Sequence, residues 1–289
     1  VAIMIFARCL RAGLTVPGET ERAPAGPGDG RTGRRGPRPT RTRAPGSPMT
    51  ICDLVQSFTA RSGGIRTYIR AKQAYLARTG AHRHVLIMPG GADRTVRDGA
   101  STVHEVRAPF IPGYRPYRFN VRVGRVASLL AAERPDVVEL ASPYLMPWPT
   151  FRHRRRHGSC AVVGYYHADF PEAYVAQSVA SVVGHWPGRL AGRLAAAYAR
   201  AVYDRCDLTV TAAPTYRRSL EAMGVGRVHE VPLGVDLDVF HPRARSPEIW
   251  DDLFPAAPAG PVLVYCGRLD REKQVEVLVA AHARLPDRK

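Results

Sequence analysis

The stretch Phe119–Leu140, FNVRVGRVASLLAAERPDVVEL, carries two kinds of apolar repeat in immediate succession. Val123, Val126, Ala127, Leu130 and Ala131 recur at helical spacing, which predicts an amphipathic helix reaching Glu133. Pro135 has no amide hydrogen and its ring clashes with the preceding turn, so the helix has to stop before it. Asp136–Leu140 then reads as a short buried strand. A helix that hands over at once to a buried strand is half of a crossover unit.

The same alternation extends in both directions. Upstream, Thr50–Phe58 contains a strand, Gly64–Arg78 a helix, and His84–Met88 and Ser101–Val106 two more strands. Downstream come a helix around Trp148–His157, a strand at Cys160–Tyr166, a helix at Arg189–Tyr203, a strand at Leu208–Thr211, a helix at Pro214–Met223 and a strand at Arg227–Val231. Strand and helix taking turns predict a doubly wound parallel α/β sheet, Rossmann-like, with helices on both faces. Ligands of such sheets bind beyond the carboxyl ends of the strands, so the loops that follow strands are where function is expected.

The chain has 289 residues, room for one large core or two ordinary ones. No apolar run approaches the ~18 residues that a bilayer-crossing helix needs. Lys and Arg number 42 against 25 Asp and Glu, a formal charge of +17 that favours anionic partners without choosing among them. The charge is no argument for nucleic acid. Nine Arg against three Asp or Glu in the first 48 residues supply six of those charges, and no RNP-like aromatic motif, zinc finger or basic zipper accompanies them. Cys9, Cys52, Cys160, Cys206 and Cys266 are odd in number and lack a C-x-x-C pair, which fits a reducing cytoplasm better than a disulfide framework or a zinc site.

Residues 1–48 are dominated by Gly, Pro, Arg and Thr and have little to bury, so a disordered extension is expected, with the functional domain starting near Met49. Gly28, Gly30 and Gly33 spell G-x-G-x-x-G there, but no strand precedes them, and a chance match in a Gly-rich segment is the simpler reading.

Three places in the body of the chain suggest chemistry. Ser62-Gly63-Gly64 lies at the turn from the first strand to its helix, where Gly63 and Gly64 either let a phosphate approach the helix amides or only make the turn. No Lys-Ser/Thr follows, so this is not a Walker-type loop. His167 and Asp169, in Tyr165-Tyr166-His167-Ala168-Asp169-Phe170-Pro171, stand at the mouth of the sheet. The imidazole there can bond a sugar hydroxyl or share charge with a phosphate, or be satisfied by backbone groups in the turn. Arg152–His157 places four arginines and two histidines on one helix, either a solvated face or a seat on an acidic membrane surface. His153 and His157 are four apart, but only arginines separate them, and cations between ligands repel a metal.

Two later stretches turn this into a specific resemblance: Val231-Pro232-Leu233-Gly234-Val235-Asp236-Leu237-Asp238-Val239-Phe240-His241-Pro242 and Val264-Tyr265-Cys266-Gly267-Arg268-Leu269-Asp270-Arg271-Glu272-Lys273. With His167–Pro171 and Gly63-Gly64 they resemble family 4 glycosyltransferases of the GT-B architecture, in particular the α-mannosyltransferases that act on lipid acceptors. The resemblance implies a retaining transfer of a hexose, mannose foremost, from a nucleotide diphosphate sugar to a lipid-linked or glycan acceptor. It implies that Arg268 and Lys273 bind the diphosphate and neutralise the leaving group, without metal or other cofactor. Gly63, Gly64 and Gly234 then lie on the donor side, His167 meets the transferred sugar, and Tyr166 and Asp169 lie on the acceptor side. Residues 49–234 correspond to the amino-terminal domain and 235–289 to a linker strand and the start of the nucleotide-sugar domain, with one more strand and one helix. Gln274 stands where the family has glycine, and the Glu-x7-Glu element has no counterpart, so a truncated product is expected. The alternative is a non-catalytic half-module that only binds acceptor. Location is expected in the cytoplasm, with peripheral contact at the inner face of the plasma membrane.

Overall fold

A computed structural model describes residues 47–56, 58–59, 63–112, 116–158, 160–246, 248–249, 252, 262–267, 269 and 273–285. The expected extension lies, up to residue 46, outside the described residues, as do Gly28, Gly30 and Gly33. The chain divides into two units, Val1–Leu233 and Gly234–Lys289.

The first unit follows the predicted alternation. Its elements are β1 (Thr50–Leu54), α1 (Gly64–Thr79), β2 (Arg83–Gly90), β3 (Arg94–Asp98), β4 (Ser101–Arg107), α2 (Val123–Glu133), β5 (Val137–Leu140) and α3 (Pro147–His157), then β6 (Ala161–Tyr166). A π-helical segment (Phe170–Ala176), α4 (Gln177–Val183), α5 (His185–Tyr203), β7 (Leu208–Thr211), α6 (Pro214–Ala222) and β8 (Val228–Glu230) complete it. The strands form one sheet in the order β3-β4-β2-β1-β5-β6-β7-β8. Every pairing is parallel except β3 with β4. That antiparallel edge was not predicted. Asp98-Gly99, with Gly99 at φ 59, turns the chain in a tight hairpin.

Side-chain alternation divides the core. Cys52, Leu54, Val85, Ile87, Val138, Leu140, Val162 and Tyr166 point to one face, where Leu130 of α2, Phe151 of α3, Val202 and Tyr203 of α5 and Leu220 of α6 complete a single apolar cluster. Gly164 is needed there: a Cβ would lie 2.6 Å from the Tyr203 ring. The other face is covered by α1 through Ile65, Tyr68 and Ile69 and holds smaller apolar clusters around Leu86 and around Val163 and Tyr165. Asp53, His84 and Glu139 are buried as well.

In the second unit α7 (Val275–His282) forms as expected, but neither predicted strand does. After β8 the chain turns instead: Asp236 accepts hydrogen bonds from the amides of Asp238 (3.0 Å) and Val239 (3.4 Å), an Asx-type turn that replaces the expected linker strand. Residues 262–266 pair with no strand among the described residues, and a strand without neighbours leaves its ladder groups unmet. No described residue of this unit is buried.

Candidate functional site

His167 follows β6 directly, at the carboxyl edge of the sheet. Its ring stacks on Tyr165, centroids 3.8 Å apart and planes at 6°, because two residues on a strand share a face. Tyr68, one turn into α1, stands edge-on to both, 5.0 Å from Tyr165 and 5.9 Å from His167. This brings the beginning of α1 to the same edge. The His167 Nε2 atom is shut off from solvent and has no hydrogen-bond partner among the described residues; the Tyr165 hydroxyl is in the same condition. The imidazole is therefore not satisfied at Nε2 by the turn. Two orphaned polar atoms in one aromatic stack are what a polyhydroxylated ligand could satisfy.

Under the stack lies a buried ionic cluster that the sequence motifs did not reveal. Lys72 of α1 donates to Asp53 of β1 at 2.6 Å and to Glu139 of β5 at 2.8 Å; these two carboxylates are register partners on adjacent strands. The Tyr68 hydroxyl donates to Glu139 at 3.0 Å, and the Lys72 ammonium sits 4.5 Å from the Tyr68 ring. His84 of β2 bridges Asp53 at 2.8 Å and the Ser101 hydroxyl of β4 at 3.0 Å. Burial pushes the Asp53 carboxyl up, but Lys72 and His84 outweigh it and hold its pKa at about 2. At Glu139 burial prevails over Lys72 and the carboxyl is raised. Burial, then the charge of Lys72, pushes the His167 imidazole down to about 3, which keeps it neutral at physiological pH.

Asp169 is a loop builder. It accepts from the Tyr166 hydroxyl at 3.0 Å, from the Glu172 amide at 3.4 Å, where it caps the π-helical segment, and from the Ser219 hydroxyl of α6 at 3.3 Å. Tyr166 is 1% exposed, in the apolar core on the face opposite Tyr165, so any effect it has on an acceptor runs through Asp169.

Gly63 and Gly64 precede and open α1, whose start has no side-chain cap. Neither takes a positive φ and a Cβ at either would meet nothing within 4 Å, so the local backbone does not itself require glycine. Gly234 is exposed with open space around it, and Lys273 is exposed two residues before α7. Arg268 lies outside the described residues. On α3, Arg154 is tied to Asp207 at 3.0 Å and to the Arg205 carbonyl at 2.7 Å, and His153 is buried. Arg152, Arg155 and Arg156 remain exposed. Among the described residues no three His, Cys, Asp or Glu side chains are grouped as metal ligands, and no helix is long and apolar enough to cross a membrane.

A mostly parallel sheet with crossover helices and a polar aromatic stack at its carboxyl edge is a doubly wound domain of the kind found in GT-B enzymes. The Glycosyltransferase Family 4 model matches residues 62–239, more than half of the chain, and the chain belongs to that family. A GDP-mannose-dependent alpha-mannosyltransferase of Mycolicibacterium smegmatis is 30% identical over 246 residues, covering 82% of this chain and 60% of that protein. A GDP-mannose-dependent alpha-(1-6)-phosphatidylinositol dimannoside mannosyltransferase of Mycobacterium tuberculosis is 30% identical over 244 residues, covering 83% of this chain and 59% of that protein. The chain thus spans about 60% of the length of these curated relatives. Among solved structures, a sucrose-phosphate synthase of Thermosynechococcus elongatus superposes with a TM-score of 0.59 at 17% identity, covering 82% of this chain and 60% of that one; the fold is shared.

Proposed function

We propose that the chain serves the retaining transfer of mannose from GDP-mannose to a lipid-linked acceptor. The observation that carries this reading is the neutral, half-buried His167 with its unpartnered Nε2 at the end of β6. Two relatives named for GDP-mannose support the donor, and one named for a phosphatidylinositol dimannoside supports the acceptor class.

In this reading the imidazole bonds a hydroxyl of the sugar, and Tyr68 and Tyr165 hold its ring in place. As the bond to the nucleoside diphosphate breaks, negative charge collects on the phosphates while the sugar becomes oxocarbenium-like. Arg268 and Lys273 take up that charge, Gly63, Gly64 and Gly234 leave room for the donor, and no step is routed through a metal. Asp169 sets the loop that faces the acceptor. The exposed Arg152, Arg155 and Arg156 and the formal charge of +17 support work at the inner face of an acidic membrane, and the buried free thiols of Cys52, Cys160 and Cys206 suit the cytoplasm.

The test is mannosyl transfer from GDP-mannose to phosphatidylinositol mannosides. Losing leaving-group donors of this type costs roughly 100- to 1,000-fold in rate, so Arg268→Ala/Lys273→Ala should be slower by at least that much, and a chelator should leave the rate unchanged. An undiminished rate in the double variant would overturn the assignment. A second reading, an acceptor-binding half-module, is favoured by the lack of any buried described residue in the second unit. Calorimetry separates the two: sub-millimolar GDP-mannose binding supports the enzyme, whereas acceptor binding without donor binding supports the module.

A further inference from the structure

The exposed side of α4 and α5 presents apolar and basic residues in two parallel stripes. Val182 and Val183 end α4 at 80% and 59% exposure, and Trp186, Leu190 and Leu194 continue along α5 at 75%, 46% and 66%. The last three are spaced i, i+4, i+8, so they line one edge of the helix. Arg189 and Arg193, both exposed, lie beside them on the next edge and have no carboxylate partner among the described residues. The inward side is occupied by Gly188, Ala195, Ala199, Val202 and Tyr203. The apolar stripe is therefore surplus to the packing of α5 on the sheet. Between Glu172 and Asp204 the sequence holds no acidic residue.

We propose that this α4–α5 surface docks on an acidic phospholipid bilayer, with Trp186, Leu190 and Leu194 in the acyl–headgroup boundary and Arg189 and Arg193 on the lipid phosphates. Charge selects the occupant: an apolar stripe flanked by cations, on a stretch of chain that carries no acid from residue 173 to residue 203, matches a surface that is apolar inside and anionic at its rim. Trp at the leading end suits the interface, where an aromatic body and a polar N–H are both accommodated. The neighbouring α3 extends the basic field. Trp148 of α3 donates to the Tyr198 hydroxyl of α5 at 3.0 Å, so the exposed arginines of α3 belong to the helix packed beside the stripe. The surface deepens the membrane-side reading above and rests on it for its biological sense, but it makes α5, not the arginine cluster of α3, the inserting element.

The experiment is co-sedimentation of the 289-residue chain with vesicles of phosphatidylcholine alone or with 30 mol% phosphatidylglycerol. Retention is expected only with the acidic lipid. Leu190→Glu/Leu194→Glu should weaken it at least tenfold, and Arg189→Ala/Arg193→Ala roughly 25-fold, at about fivefold per charge. In a Trp148→Phe/Trp250→Phe background, Trp186 fluorescence should shift to the blue and be quenched by brominated lipid. Arg189, Leu190, Arg193 and Leu194 are all exposed, so those two double variants do not put folding at stake. Equal retention of the glutamate variant, loss of retention only on removing Arg152, Arg155 and Arg156, or a glutamate-sensitive dimer with no vesicle binding would each overturn the proposal. None of these readouts needs donor or turnover. A chain that binds vesicles but not GDP-mannose sinks the transfer reading alone, and the opposite result sinks this one alone.

Discussion

The two faces of the central sheet are built by different rules. On one, Leu54, Ile87, Leu140 and Tyr166 meet four helices in a continuous apolar cluster. On the other, beneath α1, Asp53, Lys72, His84 and Glu139 are buried together in the middle of the layer. Burial is equally complete on both sides, but its energetics are not. Apolar side chains contribute independently and by area, whereas buried charges survive only as a set, because each would be severely destabilising without the others. The charged face is also the one on which Tyr165 and His167 stand. The apolar face gives the domain its mass of contacts, and the charged face fixes the posture of the side chains in the proposed site.

The sharpest way to break this contrast is Lys72→Met. It strands two carboxylates in the interior, and a loss of about 3–5 kcal/mol is expected in urea unfolding. Adding Asp53→Asn and Glu139→Leu should recover most of that loss, since the remaining side chains no longer carry unpaired charge. A triple variant as unstable as the single one would show that the cluster acts by shape and not by charge. On the apolar face, Leu130→Ala should cost about 2–4 kcal/mol, with no rescue available from a second deletion.

Acid supplies a subtler probe. The imidazole of His167 is held at about 3 in the folded chain against about 6.5 when unfolded, so the unfolded state binds the extra proton between those values. Stability should be full above pH 6.5 and fall on acidification toward pH 3 by up to about 1.4 kcal/mol per pH unit from this group. Comparing His167→Gln with the parent by chemical unfolding at pH 7.5, 6 and 5 isolates that slope; equal slopes would refute it. The smallest effect is expected for Tyr68→Phe, which keeps the ring against His167 and removes only the hydroxyl from Glu139, at about 1–2 kcal/mol.

The apolar face was the legible one. Helical spacing in Val123–Ala131 and the apolar strands that flank it foretell where α2, β5 and their neighbours lie, because periodicity records which side of an element is buried. The charged face is written in the sequence only as exceptions: Asp53 within Ile51–Val55, Glu139 within Val137–Leu140, and a lysine on the inward side of α1. An acid inside a strand of a parallel sheet is the signal that could have exposed the cluster, but its partner, Lys72, is distant in sequence and joined only by the fold. The site divides similarly. His167 was found because it follows a strand. Tyr166 ends the strand before that loop and turns to the other face by strand parity, while Asp169, in the loop, is drawn toward Ser219, fifty residues away. The β3 hairpin and the π-helical segment were both missed, although Asp98-Gly99 and a capping aspartate ahead of Pro171 are signals that could have found them.

That remote contact has an evolutionary meaning. Because Asp169 grips Ser219 from one side and Tyr166 from the other, the loop bearing His167 is moored to α6, on the reverse of the sheet. Substitutions along α6 therefore bear on the position of the His167 loop from behind the sheet, without touching its carboxyl edge. The posture of that loop is thus open to variation from a helix that takes no part in the edge itself.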